Sequence, residues 1–400
     1  MIANLLLFLL PTQLALHFWP SWAFVFGIRV DFLAPAVYLT DILCLILIFA
    51  NLRVYRKYLK YLLALLIFAV VNIFFSTSPP ESVYKWIKIF EMVGIGIHFA
   101  KSNAGTTKIF KILFYSAVLV SLVGIFQFVL GRNIGGVLYL LGERSFRIGT
   151  PGIALVQFSG QNFLRAYSTF SHPNSLAGYL GVILILFLDF KKKNIYEYLG
   201  AFPIALGFVL TFSLTAFVGL AVVLLLKYVI TEKKVFTKLS YIILFSSFIF
   251  SLLLPVFAKR ISLSNLGLEE NLSQRFDLSY LSGKMITEKF LIGEGLNTFI
   301  VNIPRFRSTF SFSWLLQPVH NVPLLVFSET GIIGLITLFI VFYKLLKASL
   351  KENTLTITMI ILFVVVTWVM DHYWFTLQQN ILLVSILLGL SARIEEWKNI

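Results

Sequence analysis

The sequence predicts an all-α integral membrane protein, formed as a single polytopic membrane domain over residues 1–400. Three observations support this class. Of the 400 residues, 58% are hydrophobic and only 13% are charged, and the mean hydropathy is +0.89. Apolar stretches of about 17–25 residues, the length of a membrane-crossing helix, recur along the chain. These stretches lack the strict alternation of barrel strands, so we expect about 12 transmembrane helices.

The predicted spans are separated by short loops and by two long polar segments. The spans cover residues 2–18, 36–50, 61–75 and 83–100, a fifth stretch that ends near residue 130, then 174–190, a hairpin over 198–226, 241–256, 320–343, 354–370 and 375–390. The two long segments are residues 131–172 and 257–318. Within the second segment, residues 278–290 have the pattern of an amphipathic helix on a membrane surface.

Positive charge predicts the side on which each loop lies. Lys and Arg are concentrated in the loops after spans two, four, six, eight and ten, which all fall on one side. Such loops are cytoplasmic. We therefore expect a cytoplasmic (inner) membrane protein with both termini cytoplasmic and both long segments extracytoplasmic.

This orientation rule also explains the net charge of +15, so no nucleic acid is expected as a partner. The single cysteine, Cys44, excludes a Cys-based metal site. Arginines in the two long segments break the orientation rule and therefore need another explanation. Anion binding is the natural one for a guanidinium group.

The first candidate site is at the end of the first long segment. The planar, permanently charged side chain of Arg165 suits phosphate oxygens. Pro173 ends the segment, and Asn174 or Ser175 can cap the span that follows. His172 can be either a capping residue at the interface or a functional imidazole.

The second candidate site is in the second long segment. Arg275 can bind an anion, or it can simply pair with Asp277 or Glu270. Gly293 and Gly295 are more typical of a turn than of a phosphate-binding loop, because an isolated Gly-x-Gly is a weak signal.

The third candidate site is at the start of the tenth span, where His320 follows a long polar loop. On a straight helix, His320 and Glu329 would lie nine positions apart and close to opposite faces. We therefore expect Glu329 to hydrogen-bond into a neighbouring helix. Gly331 and Gly334 suit a close helix crossing.

Two further groups of polar residues are less specific. Asp371 begins a short turn before the last span, where it can act as a cap beside an aromatic belt. Lys88 and Glu91 are three positions apart in the fourth span, so they are expected to pair inside the bundle. Few other spans carry charged residues.

The motifs occur in a recognisable order. Arg165 precedes the motif His-Pro-Asn-x-Leu-Ala-Gly, which begins at His172, and Arg275 precedes Gly-x-Gly-Leu-Asn-x-Phe, which begins at Gly293. His-Asn-x-x-Leu begins at His320 and is followed by Glu-x-Gly-Ile-Ile-Gly, which begins at Glu329. This order resembles that of the O-antigen ligase and O-antigen polymerase superfamily of bacterial polysaccharide assembly. The fold of that superfamily is related to the C-type glycosyltransferases.

The resemblance implies a glycosyltransferase that moves a glycan from an undecaprenyl diphosphate donor to an acceptor hydroxyl at the outer face of the membrane. It implies no cofactor and no metal. The acceptor would be a glycan, a lipid or a protein, and the partners would be the lipid bilayer and other polysaccharide-assembly proteins. Whether the chain is a ligase or a polymerase stays open.

The resemblance also implies roles for individual residues. Arg165 and Arg275 would hold the donor diphosphate, and His320 would lie beside the acceptor. Ser213-Leu214 departs from the Ser-Arg that the family often has between spans seven and eight, so an anion contact there must come from other arginines. The expected substrate-binding residues are Arg144, Arg147, His172, Asn174, Arg305, Arg307, Asn321 and Asp371.

Two other classes of function remain possible at this point. A lipid-linked glycan flippase or other polysaccharide transporter would need charged residues along a path through the membrane. A scaffold subunit of an envelope-polysaccharide complex would tolerate substitution of the loop arginines.

Overall fold

The computed structural model describes residues 1–102, 104–190, 193–263, 270–306, 316–352 and 354–393. These residues are mostly helical. The helices are α1 (Ile2–Leu9), α2 (Leu39–Phe49), α3 (Leu52–Tyr55), α4 (Leu59–Phe74), α5 (Pro79–Lys101), α6 (Thr106–Leu130), α7 (Pro173–Asp189), α8 (Ile195–Val209), α9 (Leu214–Val229), α10 (Lys233–Leu263), α11 (Glu270–Glu288), α12 (Phe299–Phe306), α13 (Val322–Lys351), α14 (Leu355–Trp368), α15 (Tyr373–Thr376) and α16 (Gln378–Ser391).

Three short antiparallel ribbons, which the sequence did not predict, accompany the helices. They pair β1 (Ala15–His17) with β4 (Ala36–Tyr38), β2 (Phe24–Val25) with β3 (Ile28–Arg29), and β5 (Leu155–Phe158) with β6 (Gln161–Leu164). The third ribbon lies within the first long polar segment. Most of the other described residues are helical, so the predicted all-α class holds at the level of the bundle.

Four of the described helices are long and apolar enough to cross a membrane: Leu52–Phe74, Thr106–Leu130, Lys233–Lys259 and Val322–Lys351. Six shorter apolar helices of 10–17 residues accompany them. Large apolar side chains such as Phe74 are exposed on the outside of the bundle. An outer surface of this kind suits lipid. The chain is therefore a helical, membrane-embedded protein, and the predicted twelve spans and their sides remain predictions.

Three helices form the centre of the bundle. α14 is buried on nearly all sides and packs against α7, α9, α10 and α13. α7 contacts α6, α8 and α14, and α16 packs along α5. Helices buried all round are apolar all round, which explains why these segments lack an amphipathic pattern.

The first predicted span is shorter than expected. α1 ends at Leu9, and the chain turns before β1, so the helix predicted over residues 2–18 is wrong beyond that point. Proline interrupts a helix because it lacks a backbone N–H and clashes with the preceding turn, and Pro11 lies where α1 stops. The turn is fixed to the first long segment, since Thr12 Oγ1 donates to the Leu141 carbonyl at 2.7 Å.

The helix predicted in the second long segment begins earlier than expected. α11 covers Glu270–Glu288 rather than residues 278–290, so Arg275 lies on the helix instead of before it. Leu278, Leu281 and Met285 bury one face of this helix, which packs against α10 and α13. Because α11 packs against α10, Arg275 lies on a helix that is held in place by its neighbour.

Gly331 breaks α13, with φ 68° and ψ −169° in the middle of the helix. The turn after α11 occupies the gap: Glu294 N–H donates to the Ser328 carbonyl at 2.9 Å and Gly295 N–H to the Glu329 carbonyl at 3.0 Å. The break frees these carbonyls from the helix, and the turn satisfies them. Gly293 and Gly295 therefore form a turn, as predicted. Gly331 was predicted to allow a close helix crossing, but it instead allows the close approach of this turn.

Glu329 follows the other prediction made for this helix. Its Oε1 accepts a hydrogen bond from the backbone N–H of Phe299, the first residue of α12, at 3.1 Å. The predicted hydrogen bond to a neighbouring helix is confirmed. Glu329 therefore secures the turn and α12 rather than His320.

We expect Gly331→Ala to destabilise the protein strongly. A Cβ at this position would lie 2.2 Å from the Leu291 carbonyl oxygen, and φ is positive. Backbone strain costs about 1–3 kcal/mol in this glycine-only region, and overpacking adds about 1–3 kcal/mol. The matched control is Gly27→Ala, which has φ 75° but no atom within 4 Å of the added Cβ. Thermal unfolding in detergent measures both variants, and equal losses in the two would contradict the close approach.

Candidate functional site

One large cavity brings most of the predicted site residues together. Its volume is about 1020 Å³, and its walls come from both long segments, from α5 and from the turn between α14 and α15. The predicted site residues that line it are Arg144, Arg165, His172, Asn174, Arg275, His320 and Asp371. Residues that are 227 positions apart in the chain, such as Arg144 and Asp371, therefore face one space.

The turn at residues 370–376, here called the central turn, collects hydrogen bonds from three sides of the cavity. Arg275 Nη1 donates to the Met370 carbonyl at 3.0 Å. Asn174 Nδ2 donates to Asp371 Oδ2 at 2.7 Å. Lys85 Nζ donates to the Phe375 carbonyl at 2.9 Å. The central turn thus fixes two cationic side chains directly and, through Asn174, a third.

The start of α7 presents two polar side chains to the cavity. His172 is the N-cap, and its Nδ1 accepts the backbone N–H of Asn174 at 3.1 Å. The interpretation of His172 as a cap is confirmed, and the prediction that Asn174 or Ser175 caps this helix is wrong. Because Nδ1 accepts a hydrogen bond, a neutral His172 carries its proton on Nε2. That nitrogen is then a hydrogen-bond donor.

The side chain of Asn174 is free to connect two charged groups because His172 provides the cap. Its Oδ1 accepts from Arg165 Nη2 at 2.6 Å, while its Nδ2 donates to Asp371. Arg165 Nε also donates to the carbonyl of Thr211, in the turn between α8 and α9, at 2.6 Å. Neutral acceptors therefore hold the guanidinium group of Arg165, and no carboxylate contacts it directly among the residues that the structure describes.

Two histidines meet in the cavity. The rings of His320 and His372 have centroids 4.9 Å apart and planes inclined at 63°. His372 Nδ1 is hydrogen-bonded to Thr376 Oγ1 at 2.7 Å. His320 Nδ1 is buried and has no hydrogen-bond partner among the described residues. His320 therefore has a free ring nitrogen beside a second, anchored imidazole.

The surroundings favour neutral imidazoles. Burial lowers the pKa of His172 and of His372 to about 4 each, reinforced by the positive charge of Arg165 at His172 and of Arg275 at His372. His172 keeps an exposed surface and also lines the cavity, where the surrounding protein reduces the hydration of its ring. Burial, with His372 next, holds the pKa of His320 well below its usual range. All three rings are then uncharged near pH 7.

Asp371 supplies the negative charge at the centre of this group. It is only 5% exposed, and burial by itself raises its pKa. The neighbouring histidines and Arg275 outweigh burial, so its pKa lies below the ordinary value. Asp371 Oδ1 also accepts the backbone N–H of His372 at 2.9 Å. It is an ionised, hydrogen-bonded carboxylate that orients its neighbours.

His372 and Lys85 are the cavity residues that sequence reasoning missed. His372 could have been found because it directly follows Asp371. Its aromatic neighbours Tyr373 and Trp374 indicated a turn at the membrane interface instead. Lys88, on the same helix as Lys85, has Asp41 as its closer partner, whereas the predicted pair with Glu91 is 3.8 Å long. The predicted pair exists, but a carboxylate from α2 dominates it.

Four predicted residues lie away from the cavity wall or outside the description. Arg147 is exposed, and its backbone pairs with Arg132. Arg305 forms ion pairs with Glu288 and, at 3.7 Å, with Glu294. Arg307 lies outside the described residues.

Asn321, the fourth of these residues, caps α13. It is fully buried, its Oδ1 accepts from Leu324 N–H at 2.9 Å, and its Nδ2 donates to Ser251 Oγ and to the Val369 carbonyl, each at 2.9 Å. These bonds attach the start of α13 to α10 and to the residue before the central turn. Asn321 thus positions its neighbour His320.

We expect stability to fall as the pH decreases from about 6.5 to about 4. The folded state keeps the His372 imidazole neutral, with a pKa lowered from 6.5 to about 4, whereas the unfolded chain takes up the proton. This contribution is therefore complete above pH 6.5 and is lost within the window. Replacing the ring, as in His372→Gln, should reduce the drop in unfolding temperature between pH 7 and pH 5. His17→Gln, at an exposed position on β1, controls for loss of a histidine. An unchanged drop in His372→Gln would contradict the assignment.

The cavity thus combines fixed guanidinium groups, neutral imidazoles and the ionised carboxylate of Asp371. Such a set can bind a polyanionic group and orient a hydroxyl beside it. Comparison with models of known protein families and with curated proteins finds no match.

Proposed function

We propose that this protein is a glycosyltransferase of the O-antigen ligase or polymerase type, which transfers a glycan from an undecaprenyl diphosphate donor to an acceptor hydroxyl. The observation that carries the proposal is the meeting of Arg165, Arg275 and His320 in one cavity. These are the three residues to which the family resemblance assigns the donor diphosphate and the acceptor. Their separation in the chain makes this meeting a property of the fold.

The two arginines suit a diphosphate leaving group. Both are held by backbone or amide oxygens rather than by carboxylates in the described contacts. As the acceptor oxygen attacks the anomeric carbon, the bond from that carbon to the diphosphate oxygen breaks and the bonding electrons leave with the diphosphate. Fixed guanidinium groups stabilise the charge that develops there.

His320 suits the acceptor hydroxyl. Its neutral imidazole can accept a hydrogen bond from the hydroxyl and take its proton as the new glycosidic bond forms. The lowered pKa makes His320 a weak base, so its larger contribution is to orient the hydroxyl before the proton moves. The ring of His372 packs against that of His320, and the negative charge of Asp371 would stabilise the positive charge that develops on it.

The dimensions of the cavity and its membrane setting support the same proposal. A volume of about 1020 Å³ is at the upper end of the 300–1,000 Å³ or so that is usual for small-molecule sites, so it has room for parts of two substrates. Apolar helices surround it, which would let a prenyl chain remain in lipid. We place the cavity at the outer face of the cytoplasmic membrane because both long segments are predicted to lie there.

Removal of the three proposed groups should reduce transfer without loss of the fold. We expect Arg165→Ala and Arg275→Ala each to lower the rate of glycan transfer by about 10²–10³-fold, as for loss of a charge-stabilising donor, and His320→Ala to lower it by about 10²-fold or more, as for loss of an acid–base group. Transfer from an undecaprenyl diphosphate glycan in proteoliposomes is the measurement. Arg53→Ala, on the short helix α3 and not among the residues that line the cavity, is the control. Full activity in all three variants, at normal protein levels, would overturn the proposal.

A transporter is the second candidate, and one observation favours it. α5 and α2 together bury the charged residues Asp41, Lys85, Lys88 and Glu91, more charge inside the bundle than the sequence had suggested. Lys85 and Lys88 also line the cavity. Movement of a lipid-linked glycan across proteoliposomes that contain no acceptor would support transport. Transfer that requires an acceptor, without such movement, would support the enzyme.

A further inference from the structure

Lys85 stands apart from the cations already assigned to the donor. It lies on α5, is 8% exposed, and its side chain forms part of the cavity wall. Its Nζ donates one hydrogen bond, to the Phe375 carbonyl at 2.9 Å. An ammonium group has three N–H donors, so Lys85 has further donors to offer within the cavity.

No carboxylate lies within ion-pair distance of Lys85 among the described residues. Its neighbour Lys88 takes both nearby acidic partners, Asp41 and Glu91. Asp41 is fully engaged, because it also accepts from Tyr38 N–H at 2.8 Å and from Gln378 Nε2 at 2.5 Å. The charge of Glu329 reaches Lys85 only at longer range, and that carboxylate bonds to α12.

An ammonium group that is buried without an anion is costly in free energy. The structure places such a group on the wall of a cavity that can admit a ligand. An anionic group on the ligand would offset this cost and would use the remaining N–H donors of Lys85. The location therefore indicates a binding role in addition to the bond to the central turn.

Lys85 is also separate from the arginine pair. Arg275 bonds to the central turn at Met370, whereas Lys85 bonds to it at Phe375, and His372 lies between these two positions. Arg275 acts electrostatically on all three histidines, and Arg165 acts on His172, whereas Lys85 acts on His372 alone among these rings. The cavity thus has two cationic regions, one on each side of His372 along the turn.

We infer that Lys85 forms a second anion-binding subsite, which takes a phosphate or carboxylate group of the acceptor substrate. This inference rests on the proposed function, in which Arg165 and Arg275 hold the donor diphosphate. The acceptor would then be an anionic molecule, either a phosphate-bearing lipid or an acidic sugar. Lys85 would set its position so that a hydroxyl meets His320.

Binding of two simple anions tests the subsite separately from transfer. Inorganic pyrophosphate and glucuronate are titrated by calorimetry into the purified full chain in an uncharged detergent at low ionic strength. Lys85→Gln should weaken one class of binding site by about tenfold or more, the loss of one charge-assisted hydrogen bond. Lys85→Arg should retain it. Lys101→Gln, at an exposed position of the same helix, should bind as the wild type does.

The Lys85-dependent probe identifies the source of the anion: pyrophosphate indicates a lipid phosphate, and glucuronate indicates an acidic sugar. Unchanged binding of both probes by Lys85→Gln would overturn the subsite. Arg275→Gln separates the two proposals, because it should remove a different class of pyrophosphate site. If Arg275→Gln has no effect while Lys85→Gln does, the subsite stands and the assignment of the donor site fails.

A chemical measurement on the wild-type protein covers the case in which Lys85→Gln does not fold. Lys85 is acetylated with a water-soluble reagent that transfers acetyl groups to amines, and the extent of reaction is followed by mass spectrometry with and without the two anions. A bound anion should slow acetylation of Lys85 and leave that of Lys101 unchanged. Equal rates for Lys85 with and without both anions would overturn the subsite.

Discussion

The candidate site depends above all on the hydrogen bond from Asn174 to Asp371, which joins the start of α7 to the central turn. Through its other amide atom, Asn174 also holds Arg165. The carboxylate of Asp371 is buried, so it needs these partners to remain ionised. Loss of this bond would release Arg165, leave a buried carboxylate partly unsatisfied and loosen the turn that carries His372. One interaction thus couples the position of a cation to that of an imidazole.

The two long polar segments end in the same way. Each finishes at a helix N-cap beside a functional side chain: His172 caps α7, and Asn321 caps α13 immediately after His320. Capping fixes backbone and side chain together, since the cap oxygen or nitrogen satisfies an otherwise unpaired N–H. His172 and His320 belong to polar loops, but the capped starts of the helices α7 and α13 hold them in place. This arrangement suits a site that must keep several charges in place next to lipid.

The helical membrane class of the fold could be predicted from the sequence, because hydropathy is a strong signal. Arg165, Arg275 and His320 were predicted from motif order, and they do line one cavity. Residues whose role depends on tertiary pairing could not be separated in this way. Arg144 lines the cavity whereas Arg305 pairs with Glu288 and Glu294, although both are arginines of the long segments. Lys85 differs from Lys88 only because Asp41 lies beside one of them.

The central claim is that Arg165 and Arg275 bind a lipid diphosphate within this cavity. An experimental structure of the protein in lipid nanodiscs with undecaprenyl diphosphate tests it most directly. We expect the diphosphate oxygens to lie within hydrogen-bond distance of both guanidinium groups, with the prenyl chain leading into the bilayer. A diphosphate bound elsewhere, or a cavity left empty at saturating lipid, would contradict the account.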